Sequence, residues 1–189
     1  MISASTITIA IATIYSMITI ETENYNHISQ DFYNNTINSI DLSQIPCTCG
    51  LSGSLLFHGS YKRKVQLPDE VLVLTVARVR CSACGHTHAL LLSSIVPYSQ
   101  IPVVVQIDTI VALEDGIPLD SVLSGQCCVD ESNIRSIIRS YRLHWMERLR
   151  SERISLTPVL TLIRKCFSCF SRAFMQIKNT GNILFLAPT

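Results

Sequence analysis

Cys47-Thr48-Cys49-Gly50 and Cys81-Ser82-Ala83-Cys84-Gly85-His86-Thr87-His88 decide how this chain reads. Two close cysteine pairs, each followed by glycine, bracket a segment of strand-like patterning. Two such pairs form the donor set of a structural zinc ribbon, in which Zn²⁺ takes four thiolate or imidazole ligands in a closed tetrahedron. Glycine has no Cβ and reaches left-handed backbone angles, which lets the thiolates of one tight turn converge on one point. The second pair follows Val71 to Arg80, a run rich in β-branched residues. A strand entering a Cys-x-x-Cys turn is half of a ribbon. The first pair is one residue tighter, and the gap between the pairs exceeds the roughly 15–20 residues of the usual pattern. Two ligand sets therefore stay open: Cys47, Cys49, Cys81 and Cys84, or a set completed by His58, His86 or His88.

The rest of the chain is read outward from that segment. Its 189 residues allow one domain or two small ones. Fifteen Lys and Arg against fourteen Asp and Glu exclude a polybasic tail, so any basic surface is local. Eight cysteines would suggest disulfides in a secreted chain. Here Cys127 and Cys128 are adjacent and two pairs have ligand spacing, so a reducing, cytoplasmic compartment is expected.

Met1 to Ile20 carries no charge and mixes Ile with Ser, Thr and Ala. Its length suits a membrane span, but its hydrophobicity is diluted and no basic residue precedes it. The expectation is a loosely ordered extension, not a membrane anchor, whose removal leaves the fold intact. Glu21 to Gln44 is polar and Asn-rich and reads as a linker, so residues 1–44 form an extension and linker. Residues 45–98 form the ribbon-like domain. Leu55 to Phe57 and Tyr61 to Leu67 are expected as short strands around His58-Gly59-Ser60. Lys62, Arg63, Lys64, Arg78 and Arg80 on this sheet would either meet phosphates or face solvent.

From Pro102 the period changes to helical. Pro102 to Glu114 is expected as a helix with Pro in its first turn and Asp115-Gly116 as its stop. Leu119 to Leu123 is a short second helix, followed by a turn at Gly125 to Cys128. A third helix starts near Asp130, whose carboxylate caps it. Ile134, Ile137, Ile138, Tyr141, Trp145 and Leu149 recur at helical spacing, beside a stripe of Arg135, Arg139 and Arg142. Helix, short helix, turn and basic helix give the outline of a helix-turn-helix over residues 99–154. In that reading Asn133 and Arg135 face base edges of double-stranded DNA, and Arg139 and Arg142 face phosphates. Residues 155–189 are a C-terminal helix and tail. Thr157-Pro158 starts that helix, and Leu160, Ile163, Phe167, Phe170 and Phe174 stripe one face as core or a homodimer contact. Cys166 and Cys169 on it read as buried thiols. The fold class is therefore α+β: a small β-rich zinc ribbon followed by an α-helical helix-turn-helix region.

Cys47 to Gly50, His58 to Arg63, Arg78 to Leu91 and Val96-Pro97-Tyr98 together resemble a family of short bacterial proteins carrying a domain of unknown function. The cysteine-rich start of that family is similar to the zinc-binding N-terminal region of insertion-sequence transposases. The resemblance spans roughly Ile45 to Arg150, and it implies a transposon-related DNA-binding origin. A cut-and-paste transposase further needs separated carboxylates holding two metal ions. About forty residues follow Arg150, and only Glu152 among them is acidic. No Ser-His-Asp set, phosphate-binding glycine loop or His-Glu-x-x-His motif is present either. The expectation is a non-catalytic module.

Overall fold

The computed structural model describes residues 17–20, 22, 27–96, 98–125 and 129–142. Within them the fold is mixed α+β, with a four-stranded sheet and four α-helices. The β-branched run from Val71 forms β3 (Val71–Cys81), whose neighbour is the long strand β2 (Leu55–Gln66). At the turn between them the Leu67 amide donates to the Glu70 carbonyl at 2.8 Å. β2 is continuous where two short strands were expected. Gly59 adopts φ of +128° inside it, so the backbone bends at His58-Gly59-Ser60 without ending the strand. β4 (Thr87–Leu92) runs antiparallel to β3, with Arg78 opposite Ala89 and Arg80 opposite Thr87. The sheet order is β1-β4-β3-β2.

Met17–Ile20 and Gln30–Asn38 depart from the expected extension and linker. Met17–Ile20 forms β1 and pairs parallel with β4, Met17 opposite Ala89 and Ile20 opposite Leu92. Ile18 and Ile20 are buried, and the run of Ile diluted by Thr is strand patterning at the edge of the sheet. Gln30–Asn38 forms α1, capped where Ser29 Oγ accepts from the Phe32 amide at 3.1 Å. It buries Tyr33 and Ile37, four residues apart on one face. Deleting Met1 to Ile20 removes a strand and strips the edge of β4, so loss of fold is expected in place of the harmless deletion read from the sequence. No described helix is long and apolar enough to cross a membrane.

α1 also completes the sheet where β3 and β4 part. The last rung between them pairs Arg78 with Ala89. One step beyond it, the Tyr33 hydroxyl accepts from the Ala77 amide at 2.7 Å and donates to the Leu90 carbonyl at 2.9 Å. Two residues further along β3, the Gln30 side-chain amide accepts from the Thr75 N–H at 2.7 Å and donates to its carbonyl at 3.3 Å. Two side chains of one helix thus serve backbone groups that β4 no longer reaches. Tyr33→Phe leaves the Ala77 N–H and Leu90 C=O without this bridge and is expected to destabilise the fold by about 1–3 kcal/mol. Burial pushes the Tyr33 hydroxyl up to about 12, against the pull of the Ala77 hydrogen bond and with Tyr61 adding to the rise. The folded state therefore favours the neutral phenol. That contribution is intact below pH 10 and is lost as pH climbs through about 12. Unfolding midpoints measured from pH 8 to 12 should fall more steeply in the parent than in Tyr33→Phe above pH 10.

The described residues form two compact units, one within Met1–Arg63 and Val73–Ser94, the other within Lys64–Leu72 and Ile95–Thr189. In the second, α2 (Val103–Glu114) follows Pro102, which is the cap residue instead of the first helical one. Gly116, at φ of +82°, follows its C-terminal cap Asp115. α2 buries Val103, Val105, Ile107 and Ile110, and lies against both α3 (Leu119–Gly125) and α4 (Glu131–Ser140). Its buried Gln106 amide donates to the Ile101 carbonyl at 2.9 Å. Asp130 caps α4 by accepting from the Asn133 amide at 2.7 Å. Cys127, Cys128, Trp145, Leu149, Cys166, Cys169 and the C-terminal helix expected from Thr157 lie outside the described residues.

Candidate metal centre

Two turns of different length build the centre in the same way. In the first, the Gly50 amide donates to the Cys47 carbonyl at 2.8 Å, three residues back. In the second, the Gly85 amide donates to the Cys81 carbonyl at 3.0 Å, four residues back. Both glycines sit at positive φ, +87° and +76°, which is why each turn ends in glycine. The one-residue spacing of the first pair is thus absorbed by a tighter turn. The turns are joined where the Ser82 amide donates to the Ser54 carbonyl at 2.8 Å.

The four thiols meet. Cys47 Sγ lies 3.5 Å from Cys84 Sγ, and Cys49 Sγ lies 3.8 Å from Cys81 Sγ. All four sulfurs fall within 4.8 Å of one another. A tetrahedron with metal–sulfur bonds of about 2.3 Å has an edge of about 3.8 Å, so the donor set fits a four-coordinate ion. Among the described residues the group that meets this spacing is made of the four cysteines and contains no histidine. His58 is exposed on β2, His86 Nδ1 stands 3.5 Å from Cys84 Sγ, and buried His88 places Nε2 3.3 Å from Cys47 Sγ.

The electrostatics ask for a cation. The Ser54 hydroxyl, 3.2 Å away, and then the Cys84 amide bring the Cys81 thiol down to about 6. Cys84 moves the other way. The His86 backbone amide pulls it down, but desolvation and the neighbouring Cys47, Cys81 and Cys49 thiols outweigh this and push it up to about 12. Four sulfurs this close cannot all ionise without a positive charge between them, and a metal ion held by Cys47, Cys49, Cys81 and Cys84 would supply that charge in place of their protons. Sequence reasoning missed Ser54, because a serine before a strand carries no ligand signature. It left the part of His88 undecided, although its place two residues beyond His86 was the available signal.

The other expected site residues lie on α4, except Arg142, which follows its C-terminal cap Tyr141. Asn133 is half-buried, and its backbone N–H donates to the Asp130 cap. Arg139 and Arg142 are exposed. Arg135 is exposed too but forms an ion pair with Glu131, one turn back. Ile134, Ile137 and Tyr141 are buried on the opposite side of the helix. Of the sheet cations, Arg78 and Arg80 are exposed on β3, and Arg80 Nε donates to the Gly85 carbonyl at 3.3 Å.

Sheet, turns and thiols define a mixed α+β protein with a four-cysteine cluster that could hold a metal ion. Over residues 46–139 the chain matches the family described as "Domain of unknown function (DUF6431)", a span that holds all four thiols and nearly all of α4. No curated protein and no solved structure matches the chain.

Proposed function

We propose that this protein is a non-catalytic, double-stranded-DNA-binding module of transposase-like origin, in which a Cys47-Cys49-Cys81-Cys84 zinc centre stabilises a ribbon and α2, α3 and α4 form a helix-turn-helix. The observation that carries the DNA reading is α4 itself. It and the two residues after it bury Ile134, Ile137 and Tyr141 and leave Arg135, Arg139 and Arg142 in solvent, with α2 packed against both α3 and α4. Zinc is favoured because a tetrahedral four-thiolate set selects zinc or an iron–sulfur cluster, and the S···S spacing suits a single ion. Four protein ligands leave no open position for substrate or water, which supports a structural metal over a catalytic one. Thiols held as metal ligands also suit a reducing cytoplasm.

Titrating fluorescent duplex DNA with the full-length protein at several salt concentrations tests this. A log-linear loss of affinity with salt, with a slope of roughly two to three, is expected from the arginine contacts. Absence of binding at low salt refutes it. A second reading, an adaptor for another protein, is favoured by exposed Leu56 and Phe57, which with His58 and Arg80 line an open cavity of ≈ 310 Å³ beside Cys81. It would lead if DNA binding failed.

A further inference from the structure

We propose that His88 is the positioning residue of the metal centre: its Nε2–H donates to the Cys47 thiolate, making Cys47 the ligand that is held and Cys49 the ligand that leaves first. The inference rests on the metal reading above and goes beyond it by ranking the ligands. His88 enters β4 opposite Val79 and is 2 % exposed, so its ring is sealed against the centre. Nε2 lies 3.3 Å from Cys47 Sγ, while Nδ1 is buried without a hydrogen-bond partner. An orphaned nitrogen in the interior is destabilising, so the ring stays buried for what its other nitrogen does.

Chemistry fixes the direction of that contact. A metal-bound thiolate is an acceptor only. A proton on Nε2 makes an N–H···S hydrogen bond, whereas a proton on Nδ1 sets a lone pair against the sulfur and orphans a donor as well. The other sulfurs are served unequally. Cys81 has the Ser54 hydroxyl at 3.2 Å and the Cys84 amide at 3.5 Å, and Cys84 has exposed His86 at 3.5 Å. Cys49 is exposed, and among the described residues its polar contacts are the Cys81 and Cys84 sulfurs, with no hydroxyl, amide or imidazole donor among them. Hydrogen bonds withdraw electron density from a ligand sulfur, and partners of this kind change metal affinity by about 10–100-fold.

The test uses full-length zinc-loaded protein as parent, His88→Leu and His88→Gln. Zinc content is measured first, so failure of the metal reading shows as a parent without zinc, which removes the proposal too. His88→Leu is expected to retain one zinc, release it to a chromogenic chelator about tenfold faster, and alkylate faster at Cys47, narrowing the lead that exposed Cys49 holds over buried Cys47. His88→Gln, which keeps an N–H donor, should recover part of both. Unchanged zinc release and an unchanged Cys47 alkylation rate in a folded His88→Leu would overturn the proposal. Should His88→Leu fail to fold, the parent loaded with cadmium-113 decides by NMR. A coupling from cadmium through sulfur to the His88 ring N–H proton supports the donor role. Its absence, or a direct cadmium–nitrogen coupling, overturns it.

Discussion

Stripping the metal with a strong chelator is expected to unfold the sheet-bearing unit. Circular dichroism should lose its strand signal and the melting transition of this unit should disappear. The centre ties the loop carrying Cys47 and Cys49 to the end of β3 and the turn before β4. Four thiols within 4.8 Å of one another form a repulsive cluster once they ionise without a cation. Structural zinc contributes on the order of 10–16 kcal/mol in small peptides, comparable with the whole stability of a domain, about 5–15 kcal/mol. Single substitutions should therefore grade by position. Cys81→Ser, at a fully buried site closing β3, is expected to abolish folding of the unit. Cys49→Ser, at an exposed site, should weaken metal binding and leave a destabilised fold. Unchanged dichroism and melting after complete removal of the metal would contradict this account.

The second large effect is expected on α4. Replacing Arg135, Arg139 and Arg142 together with Ala should abolish measurable DNA binding at physiological salt while the fold is retained, because all three are exposed. Arg139→Ala and Arg142→Ala alone should weaken all sequences alike and lower the salt slope by about one each. Arg135 is different, because its guanidinium is already paired with Glu131. An exposed pair is worth about 1 kcal/mol or less, so a guanine or a phosphate can displace the carboxylate. Glu131→Gln is then expected to tighten binding by freeing Arg135 and removing an anion from the first turn. Arg135→Ala should cost on the order of 1–3 kcal/mol if the residue reads a base. Fluorescence anisotropy against a randomised duplex pool, with folding checked for each variant, measures all of these. A folded triple variant that binds as the parent does would make the stripe a solvated face.

The thiol cluster was legible in the sequence because its chemistry is local: two Cys-Gly turns and a β-branched strand between them. The helices from Pro102 to Asp130 were legible for the same reason, through a proline, a glycine stop and an aspartate cap. What escaped was encoded by distant partners. Met17 to Ile20 reads as a diluted apolar run until β4 supplies the neighbour that makes it a strand. Tyr33 and Gln30 sit in an Asn-rich stretch that resembles a linker, and their use appears only where β3 and β4 separate. Gly59 looked like a hairpin turn because a positive φ inside a strand and one in a tight turn leave the same residue in the sequence. The choice between histidine and cysteine ligands was likewise a question of three-dimensional spacing.

The most direct test is elemental analysis of the full-length protein purified without added metal, alongside Cys81→Ser and the double variant Cys47→Ser, Cys81→Ser. The account predicts about one zinc per chain in the parent and none in the double variant. A folded parent free of metal, or zinc retained at the same level after both cysteines are replaced, would contradict it.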